Sequence, residues 1–230
     1  MADRVLFIFA KEPRPGQVKT RMCPPLAAEQ AARCQRAFLA DLVERLRSLG
    51  GVRIVLVAAP EGDAPWLERF AVERSLALAW QGPGDLGQRM HRLLERAVAN
   101  GERALIVGCD SPDLPLAYVL SAFDSLSRPG VAIGPAADGG YYLVGSFGVV
   151  PPIFTGIAWG GPEVLACTLA RLEAAAVEFT VLPSWHDVDD FGGLRRLARQ
   201  LRAAERGGAD HGLPACARVV GELSDEGVAL

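Results

Sequence analysis

Ala104-Leu105-Ile106-Val107-Gly108-Cys109-Asp110-Ser111-Pro112-Asp113-Leu114-Pro115, near the middle of the chain, indicates the architecture. Its apolar half is typical of a parallel β-strand that helices cover on both faces, and it stops abruptly at carboxylates framed by prolines. In open α/β sheets, ligands bind beyond the carboxyl ends of such strands, so we predict that Asp110 carries chemistry. The alternative for both Asp110 and Asp113 is a turn that caps the following helix.

The length of the chain fits one α/β domain, or at most two small ones. The chain has 230 residues, 50% of them hydrophobic, so a large core can form without covalent crosslinks. Its 5 cysteines include no C-x-x-C pair, which argues against a disulfide framework and against a zinc site. The first apolar run, residues 5–10, is too short for a signal peptide or a membrane span, so we expect a cytoplasmic protein. A net charge of -3 gives no overall attraction to nucleic acid.

Predicted strands and helices alternate along the chain. The apolar patterns predict strands at residues 5–10, 54–59, 76–80, 104–108, 131–134 and 178–182, with another after the Gly139-Gly140 pair. Amphipathic patterns predict helices between these strands, and such an alternation favours a mostly parallel sheet. We expect residues 1–206 to form a single domain and residues 207–230, which show little periodicity, to form a tail of uncertain structure.

A loop rich in proline, glycine and positive charge follows the first predicted strand. Its four cations are Lys11, Arg14, Lys19 and Arg21. Charge-assisted hydrogen bonds from Lys19 and Arg21, with backbone amides freed near Gly16, suit a diphosphate. The alternative is a solvated surface loop, although an acidic protein has little other reason to gather these charges.

Gly82-Pro83-Gly84-Asp85-Leu86-Gly87 matches the pattern G-x-G-x-x-G after a predicted strand. One interpretation is a dinucleotide-binding turn, with Asp110 as the acid at the end of the next strand. Against it, the glycines lie in the middle of the chain, Pro83 stiffens the turn, and the cationic loop would have no task. The other interpretation is that a glycine-rich turn at a helix start lets a base or ribose approach the backbone.

Carboxylates are expected to supply a metal site beside the cationic loop. A bound diphosphate requires cations and a hard divalent ion that carboxylates hold. Oxygen ligands favour Mg²⁺ or Mn²⁺, and we predict Asp110 as one ligand and His186 or Asp187 as a second. The alternative is that His186 and Asp187 are structural.

Asp138-Gly139-Gly140 is predicted to lie on the acceptor side of the same site. Paired glycines beside an acid mark either close approach of a ligand to the backbone or a tight turn. We predict that Asp138 is a general base, with a turn cap as the alternative and with Asp189 or the Trp159 loop as other places for the base. Trp159 lines a pocket or anchors the core.

Five motifs in order resemble one family. They are Phe9-Ala10-Lys11-Glu12-Pro13 with Pro15-Gly16-Gln17-Val18-Lys19-Thr20-Arg21-Met22, then Gly84-Asp85-Leu86-Gly87-Gln88-Arg89-Met90, Gly108-Cys109-Asp110-Ser111-Pro112-Asp113-Leu114-Pro115, Gly134-Pro135-Ala136-Ala137-Asp138-Gly139-Gly140-Tyr141-Tyr142-Leu143 and Asp187-Val188-Asp189. Over residues 4–200 the chain looks like the bacterial glycosyltransferase-like family that is often linked to arsenosugar biosynthesis, within the nucleotide-diphospho-sugar transferase superfamily of GT-A fold.

The resemblance implies a fold and a substrate class. The fold is a three-layer α/β/α arrangement with a mostly parallel central sheet, and the substrates include a nucleotide sugar with a divalent ion. The Lys19-Thr20-Arg21 element is also similar to that of the 2-phospholactate guanylyltransferases, which join a nucleotide to a phosphorylated acid. Gly160-Gly161-Pro162 and Asp190-Phe191-Gly192-Gly193 depart from the family pattern.

The first functional hypothesis is therefore a metal-dependent glycosyltransferase with a nucleotide-diphospho-sugar donor and a small-molecule acceptor. The nucleotide and phosphate side is expected to comprise Ala10, Lys11, Lys19, Arg21, Gly84, Asp85, Leu86, Gly87 and Arg89. The acceptor side is expected to comprise Gly139, Gly140, Tyr141 and Trp159, with Asp138 and Lys19 as catalytic residues.

Three other functions remain open from the sequence. One is a nucleotidyltransferase that joins a nucleoside triphosphate to a phosphorylated acceptor. The others are an NAD-dependent oxidoreductase and a non-catalytic nucleotide-sugar binder. No nucleic acid and no membrane span is expected, and the pattern leaves the oligomeric state open.

Overall fold

A seven-stranded sheet forms the centre of the computed structural model, which describes residues 3–230. The strands are β1 (Arg4–Lys11), β2 (Val52–Ala59), β3 (Ala77–Trp80), β4 (Arg103–Gly108), β5 (Gly130–Pro135), β6 (Tyr141–Phe147) and β7 (Phe179–Val181). Their order across the sheet is β3-β2-β1-β4-β6-β5-β7. Within the described residues only β6 runs antiparallel to its neighbours, β4 and β5.

Helices cover both faces of this sheet. They are α1 (Ala28–Arg47), α2 (Pro65–Glu73), α3 (Leu86–Ala99), α4 (Leu116–Ser125), α5 (Val164–Ala174), α6 (Phe191–Arg206) and α7 (Pro214–Asp225), with a 3₁₀ turn at Thr20–Met22. Helices α1, α2 and α4 pack on one face, and α3 and α5 pack on the other. This arrangement confirms the predicted three-layer α/β/α fold with a mostly parallel sheet.

The alternation of side chains along β1 explains why both faces need a cover. Leu6 and Ile8 are fully buried in the core beneath α1, α2 and α4, whereas Phe7 and Phe9 are buried in the core beneath α3 and α5. A strand that is apolar on both faces is stable only in the middle of a layered sheet. Because β1, β2, β3 and β4 run parallel to one another, their carboxyl ends lie at the same edge of the sheet.

The C-terminal tail is an ordered part of the fold. Residues 207–230, which have little periodicity in sequence, contain α7, and this helix packs with α6 against α1. The buried carboxylate of Asp41 in α1 accepts hydrogen bonds from the backbone amides of Ala215 at 2.9 Å and Cys216 at 2.7 Å. An acid at this position satisfies amides that have no partner inside the helix and is favoured by the helix dipole.

Among residues 3–230, no helix is both long enough and apolar enough to cross a membrane.

Candidate active site

A cleft of about 490 Å³ opens at the edge where the parallel strands end. Apolar residues of β1, α3 and β4 line part of its surface, and they include Phe9, Ala10, Leu86, Met90 and Ile106. The polar residues come mainly from loops, and they include Lys11, Lys19, Asp110, Asp138, Asp187 and Asp189. The cleft therefore combines apolar surface with a cluster of charged groups, as ligand sites commonly do.

Lys19 is buried and bound to three acceptors. Its Nζ donates to the carboxylate of Asp110, to Oδ1 of Asp189 at 2.7 Å and to the backbone oxygen of Val188 at 2.9 Å. An ammonium group has three donors, so no hydrogen on Nζ is left for a ligand. Burial alone would lower the pKa of Lys19, but Asp110 and Asp189 raise it, and the net shift is upward. Lys19 is therefore a charged bridge between the cationic loop and two other segments.

The backbone at Lys19 supports this bridge. Its φ of 50° and ψ of 35° place it in the left-handed region, which residues other than glycine rarely adopt. Such a conformation persists where the surroundings hold it, and here the three hydrogen bonds of the ammonium group do so. The loop geometry and the ion pairs are thus parts of one arrangement.

Asp110 and Asp187 lie on two segments that hydrogen bonds join. The backbone amide of Val188 donates to the backbone oxygen of Asp110 at 2.8 Å. The hydroxyl of Ser111, which has one hydrogen to donate, lies 2.8 Å from Oδ1 of Asp187 and 3.0 Å from the backbone oxygen of His186. Within residues 3–230, Oδ2 of Asp110 and Oδ2 of Asp187 receive no hydrogen bond.

Asp187 holds its proton more tightly than an ordinary aspartate. Burial raises its pKa, the hydrogen bond from Ser111 opposes this, and the charges of Asp110, Asp138 and Asp189 raise it further, to about 6. A carboxylate among carboxylates favours a proton or a cation at the same place. The charge pattern of the cleft thus suits a divalent ion.

The side chain of His186, which the sequence offers as a metal ligand, contacts Asp113 and Trp185. Its Nε2 lies 3.1 Å from Oδ2 of Asp113, and its ring stacks on that of Trp185 at 4.5 Å between centroids. Trp185 Nε1 donates to Oδ1 of Asp113 at 3.2 Å. The structure does not bring His186 into the lining of the cleft, and Asp113 is not the N-cap of α4, a position that Pro115 occupies. Asp113 instead fixes the segment that precedes Asp187.

The donor set fits Mg²⁺ or Mn²⁺ bound together with a substrate. Within the part of the chain that the structure describes, no group of three or more His, Cys, Asp or Glu side chains is arranged to hold a metal ion. Mg²⁺ is commonly bound by one or two carboxylates and by substrate phosphates, with water completing the shell. Asp110 and Asp187, each with an unpaired carboxylate oxygen, are the residues that fit this pattern.

The glycine-rich turn builds the start of α3. Asp85 caps this helix, because its Oδ1 accepts a hydrogen bond from the amide of Gln88 at 2.8 Å. Arg89 Nε donates to the backbone oxygen of Gly84 at 2.8 Å. Of the predicted residues in this turn, Leu86 lines the cleft, and Gly84, Asp85, Gly87 and Arg89 do not.

Gly87 lacks a side chain because a tryptophan occupies the adjacent space. A Cβ at this position would lie 2.5 Å from Cζ2 of Trp159 and 2.5 Å from the backbone oxygen of Phe154. Trp159 also meets the ring of Tyr141 edge to face at 6.3 Å and lines the cleft. Gly87 therefore admits the Trp159 loop, which follows β6, against α3.

Asp138 and Gly140 form a tight turn at the cleft. Oδ1 of Asp138 accepts a hydrogen bond from the amide of Gly140 at 3.0 Å, and both residues line the cleft. Gly139 has a φ of +92°, and a Cβ there would lie 2.2 Å from the backbone oxygen of Pro162. Gly139 is thus required by the contact with the segment before α5 and does not line the cleft.

Gln81 is a cleft residue that sequence reasoning missed. Its Nε2 donates to the backbone oxygens of Ala10 at 3.3 Å and Val57 at 3.1 Å, and its Oε1 accepts from Arg89 at 3.2 Å. Its position directly after a predicted strand could have indicated a site residue. The neighbouring glycine-rich turn has the better-known binding pattern and is predicted instead. Gln81 ties the ends of β1 and β2 to the start of α3.

The structure brings together more than half of the predicted site. The predicted residues that line the cleft are Ala10, Lys11, Lys19, Leu86, Asp110, Asp138, Gly140, Tyr141, Trp159 and Asp187. Arg21 lies outside the lining, with its side chain 69% exposed and its guanidinium 3.8 Å from Asp189. Asp189, named only as another place for the base, lines the cleft and binds Lys19.

Comparison with solved structures agrees with this architecture. A crystal structure from Desulfovibrio desulfuricans G20, described as a "putative nucleotide-diphospho-sugar transferase", is 32% identical with a TM-score of 0.82 and covers 96% of this chain and 98% of that chain. A CMP:2-keto-3-deoxy-manno-octonic acid synthetase complexed with CTP is 14% identical, with a TM-score of 0.57 over 89% of this chain and 100% of that chain.

A nucleotidyl transferase from Methanothermobacter thermautotroptrophicus is 14% identical, with a TM-score of 0.58 over 88% of this chain and 100% of that chain. At this identity the two latter structures establish the shared fold alone. No curated protein matches the chain significantly in sequence.

A family model adds evidence from sequence. Residues 42–161 match the model described as "Uncharacterized protein conserved in bacteria (DUF2064)". The match includes Asp110 and Asp138, and it ends beside Trp159. Because it spans more than half of the 230 residues, the chain belongs to the DUF2064 family.

Proposed function

We propose that this protein is a metal-dependent glycosyltransferase with a nucleotide-diphospho-sugar donor and a small-molecule acceptor. The observation that carries the proposal is the position of Asp110, which follows β4 and lies in one cleft with Asp187, Lys19 and an apolar slot. The 32% identical structure with the transferase description supports the donor class. The resemblance to the arsenosugar-associated family is part of the same proposal.

Asp110 and Asp187 are the proposed ligands of Mg²⁺ or Mn²⁺. When bound, the ion neutralises charge that develops on the departing nucleoside diphosphate, which is worth several kcal/mol of barrier, and about 1.4 kcal/mol is tenfold in rate. Asp187 is held in place for this role by Ser111, and Asp110 by Lys19.

The cationic loop is proposed to bind the diphosphate. The hydrogens of Lys19 are already committed, so this residue would act through its charge and by fixing Asp110 and Asp189. Lys11 and Arg21 have exposed side chains, and Lys11 Nζ makes one hydrogen bond, to the backbone oxygen of Gln17 at 3.0 Å. These two residues are the proposed direct phosphate ligands.

Asp138 is the proposed general base for the acceptor hydroxyl. Its Oδ1 is bound by Gly140, whereas Oδ2 makes no hydrogen bond within the described residues. A positioned carboxylate with one unpaired oxygen can accept the proton that the hydroxyl loses during transfer. The nucleoside is proposed to enter the slot formed by Phe9, Leu86 and Met90, with Gln81 at its polar side.

A binding panel separates this function from the alternatives. Thermal unfolding is measured with nucleotide sugars, nucleoside triphosphates and NAD, each with and without Mn²⁺. Stabilisation by a nucleotide sugar that depends on Mn²⁺, followed by sugar transfer, supports the proposal. Pyrophosphate release from a triphosphate with a phosphorylated acceptor would indicate a nucleotidyltransferase, stabilisation by NAD without metal an oxidoreductase, and binding without turnover a sensor.

A further inference from the structure

We infer that the acceptor is an uncharged molecule with several hydroxyl groups and carries no phosphate or carboxylate. This inference rests on the proposed function, because it presupposes a donor whose diphosphate occupies the same cleft. It follows from the charges and hydrogen-bonding capacity of the residues that line the cleft.

Negative charge dominates the lining. The carboxylates are Asp110, Asp138, Asp187 and Asp189, whereas the cations are Lys11 and Lys19. No arginine or histidine is among the lining residues of the described chain. Even with Arg21, which lies 3.8 Å from Asp189, the lysines and one divalent ion exceed the charge of the four carboxylates by about one, so a donor diphosphate with about two negative charges leaves the loaded cleft net negative. A second anion would then be repelled.

The two lysines of the lining are committed to protein oxygens or to the donor. Lys19 uses its three donors on protein oxygens, and the proposed diphosphate takes Lys11 and Arg21. Outside the lining, Arg171 donates to the backbone oxygens of Thr155 and Gly156. Arg196 likewise donates to the backbone oxygen of Asp187 at 3.1 Å. A phosphorylated acceptor would therefore find no uncommitted cation among the residues that line the cleft.

The same lining suits a neutral polyol. An ionised carboxylate only accepts hydrogen bonds, so a complementary ligand must donate them, and hydroxyl groups do so without adding charge. Asp138, whose Oδ2 makes no hydrogen bond within the described residues, is such an acceptor in the lining. The rings of Tyr141 and Trp159, set edge to face at 6.3 Å, offer apolar surface to the carbon skeleton of such a ligand.

Space for the acceptor lies next to Trp159. A Cβ on Gly160 would meet no atom within 4 Å, and Gly161 would place one 3.3 Å from the backbone oxygen of Ala158. Both glycines line the cleft. This part of the lining carries no charge of its own, and a side chain at Gly161 requires a small shift of the Ala158 carbonyl.

Matched acceptor pairs test the inference. The full chain with Mn²⁺ and a set of nucleotide sugars is given glycerol or glycerol 3-phosphate, ribitol or ribitol 5-phosphate, and glucose or glucose 6-phosphate. Products are identified by mass spectrometry. The neutral member of the preferred pair is expected to react with at least tenfold higher kcat/KM. Equal or better use of the phosphorylated member, or transfer to none of the six, would overturn the inference.

Donor binding is measured separately, so that the two proposals fail differently. Mn²⁺-dependent stabilisation by a nucleotide sugar without any acceptor tests the proposed function alone. If that binding is present and the phosphorylated acceptors react with equal or higher kcat/KM, only the acceptor inference fails. If no nucleotide sugar binds, the proposed function fails and the acceptor inference fails with it.

A charge-adding variant gives a second test. Gly161→Arg places a cation in the acceptor part of the lining, and Gly161→Gln adds a side chain without charge. Relative to Gly161→Gln, Gly161→Arg is expected to shift the ratio of kcat/KM values toward the phosphorylated member by at least tenfold. An unchanged ratio in the two variants would contradict the electrostatic argument.

Discussion

Nζ of Lys19 lies 2.7 Å from Oδ1 of Asp189, which ties the loop after β1 to the segment between β7 and α6. The Lys19 side chain is 3% exposed, whereas the side chains of Asp189 and Asp110 are 45% and 41% exposed. The cation is thus interior and its two partners face the cleft. Lys19 positions the carboxylates, and any metal ion at Asp110 would share them with it.

Replacement of Lys19 by methionine should make stability depend on metal. The loss of three hydrogen bonds leaves Asp110 and Asp189 without their cation, and about 1–3 kcal/mol of unfolding free energy should be lost. Mn²⁺ should then stabilise Lys19→Met more than it stabilises the wild type, because a ligand that binds only the folded state shifts unfolding. Thermal unfolding with and without Mn²⁺ measures this. Lys11→Met, at an exposed cation, is the control, and an equal response of all three proteins would refute the role.

Asp138→Asn should separate catalysis from turn formation. An asparagine Oδ1 still accepts the hydrogen bond from Gly140, but the amide takes no proton. Transfer should fall by about a hundredfold or more, with donor binding and melting temperature close to the wild type. If donor binding and stability fall instead, with transfer lower only in proportion, Asp138 is a turn cap, and the base lies at Asp189 or on the Trp159 loop.

Gly87→Ala should displace the Trp159 loop. The new methyl group would overlap Trp159 and the Phe154 carbonyl, so we expect a loss of about 1–3 kcal/mol in unfolding free energy. Gly221→Ala in α7 is the control, since a Cβ there meets no atom within 4 Å. The control should be more stable by about 0.5–1 kcal/mol, because alanine favours a helix over glycine. Denaturant unfolding of both variants measures the difference, and an unaffected Gly87→Ala would contradict the packing argument.

Stability without metal should fall as the carboxylate of Asp187 ionises. Its pKa is about 6 in the folded protein and about 3.9 in an unfolded chain, so the folded state binds the proton more tightly. The resulting stabilisation is complete below about pH 4 and is lost as the pH rises through about 6. Asp187→Asn should therefore match the wild type near pH 4 and exceed its melting temperature at pH 7.5. Equal melting temperatures of the two proteins at both pH values would disprove the shift.

The sheet could be predicted because the sequence of each central strand shows that both of its faces are buried. The runs around Leu6 and Ile106 are apolar on both faces, as buried parallel strands require. The reversed direction of β6 could not be predicted, because a strand with both faces buried has the same pattern in either direction. Helix α7 could not be predicted from its own sequence because the group that caps its first amides is Asp41. This residue lies 174 positions before Ala215 in the sequence.

The part of the candidate site that lies at the ends of parallel strands could be predicted from the sequence. Asp110 and Lys19 each follow a parallel strand, so the fold alone brings them to one edge. The contacts that define other residues exist only in the folded chain. The sequence pattern predicts a nucleotide contact at Gly87, but this residue packs against Trp159. The sequence also offers His186 as a metal ligand, but its ring contacts Asp113.

The most direct test of metal-dependent transfer at Asp110 is a titration of Mn²⁺ in a transfer assay. Release of nucleoside diphosphate and formation of the glycosylated product are followed for the wild type, Asp110→Asn and Asp124→Asn, the last at an exposed carboxylate of α4. The wild type and Asp124→Asn should require Mn²⁺, and Asp110→Asn should lose about two orders of magnitude or more in rate while it stays folded. Near-wild-type transfer by Asp110→Asn, with an unchanged dependence on Mn²⁺, would contradict the account.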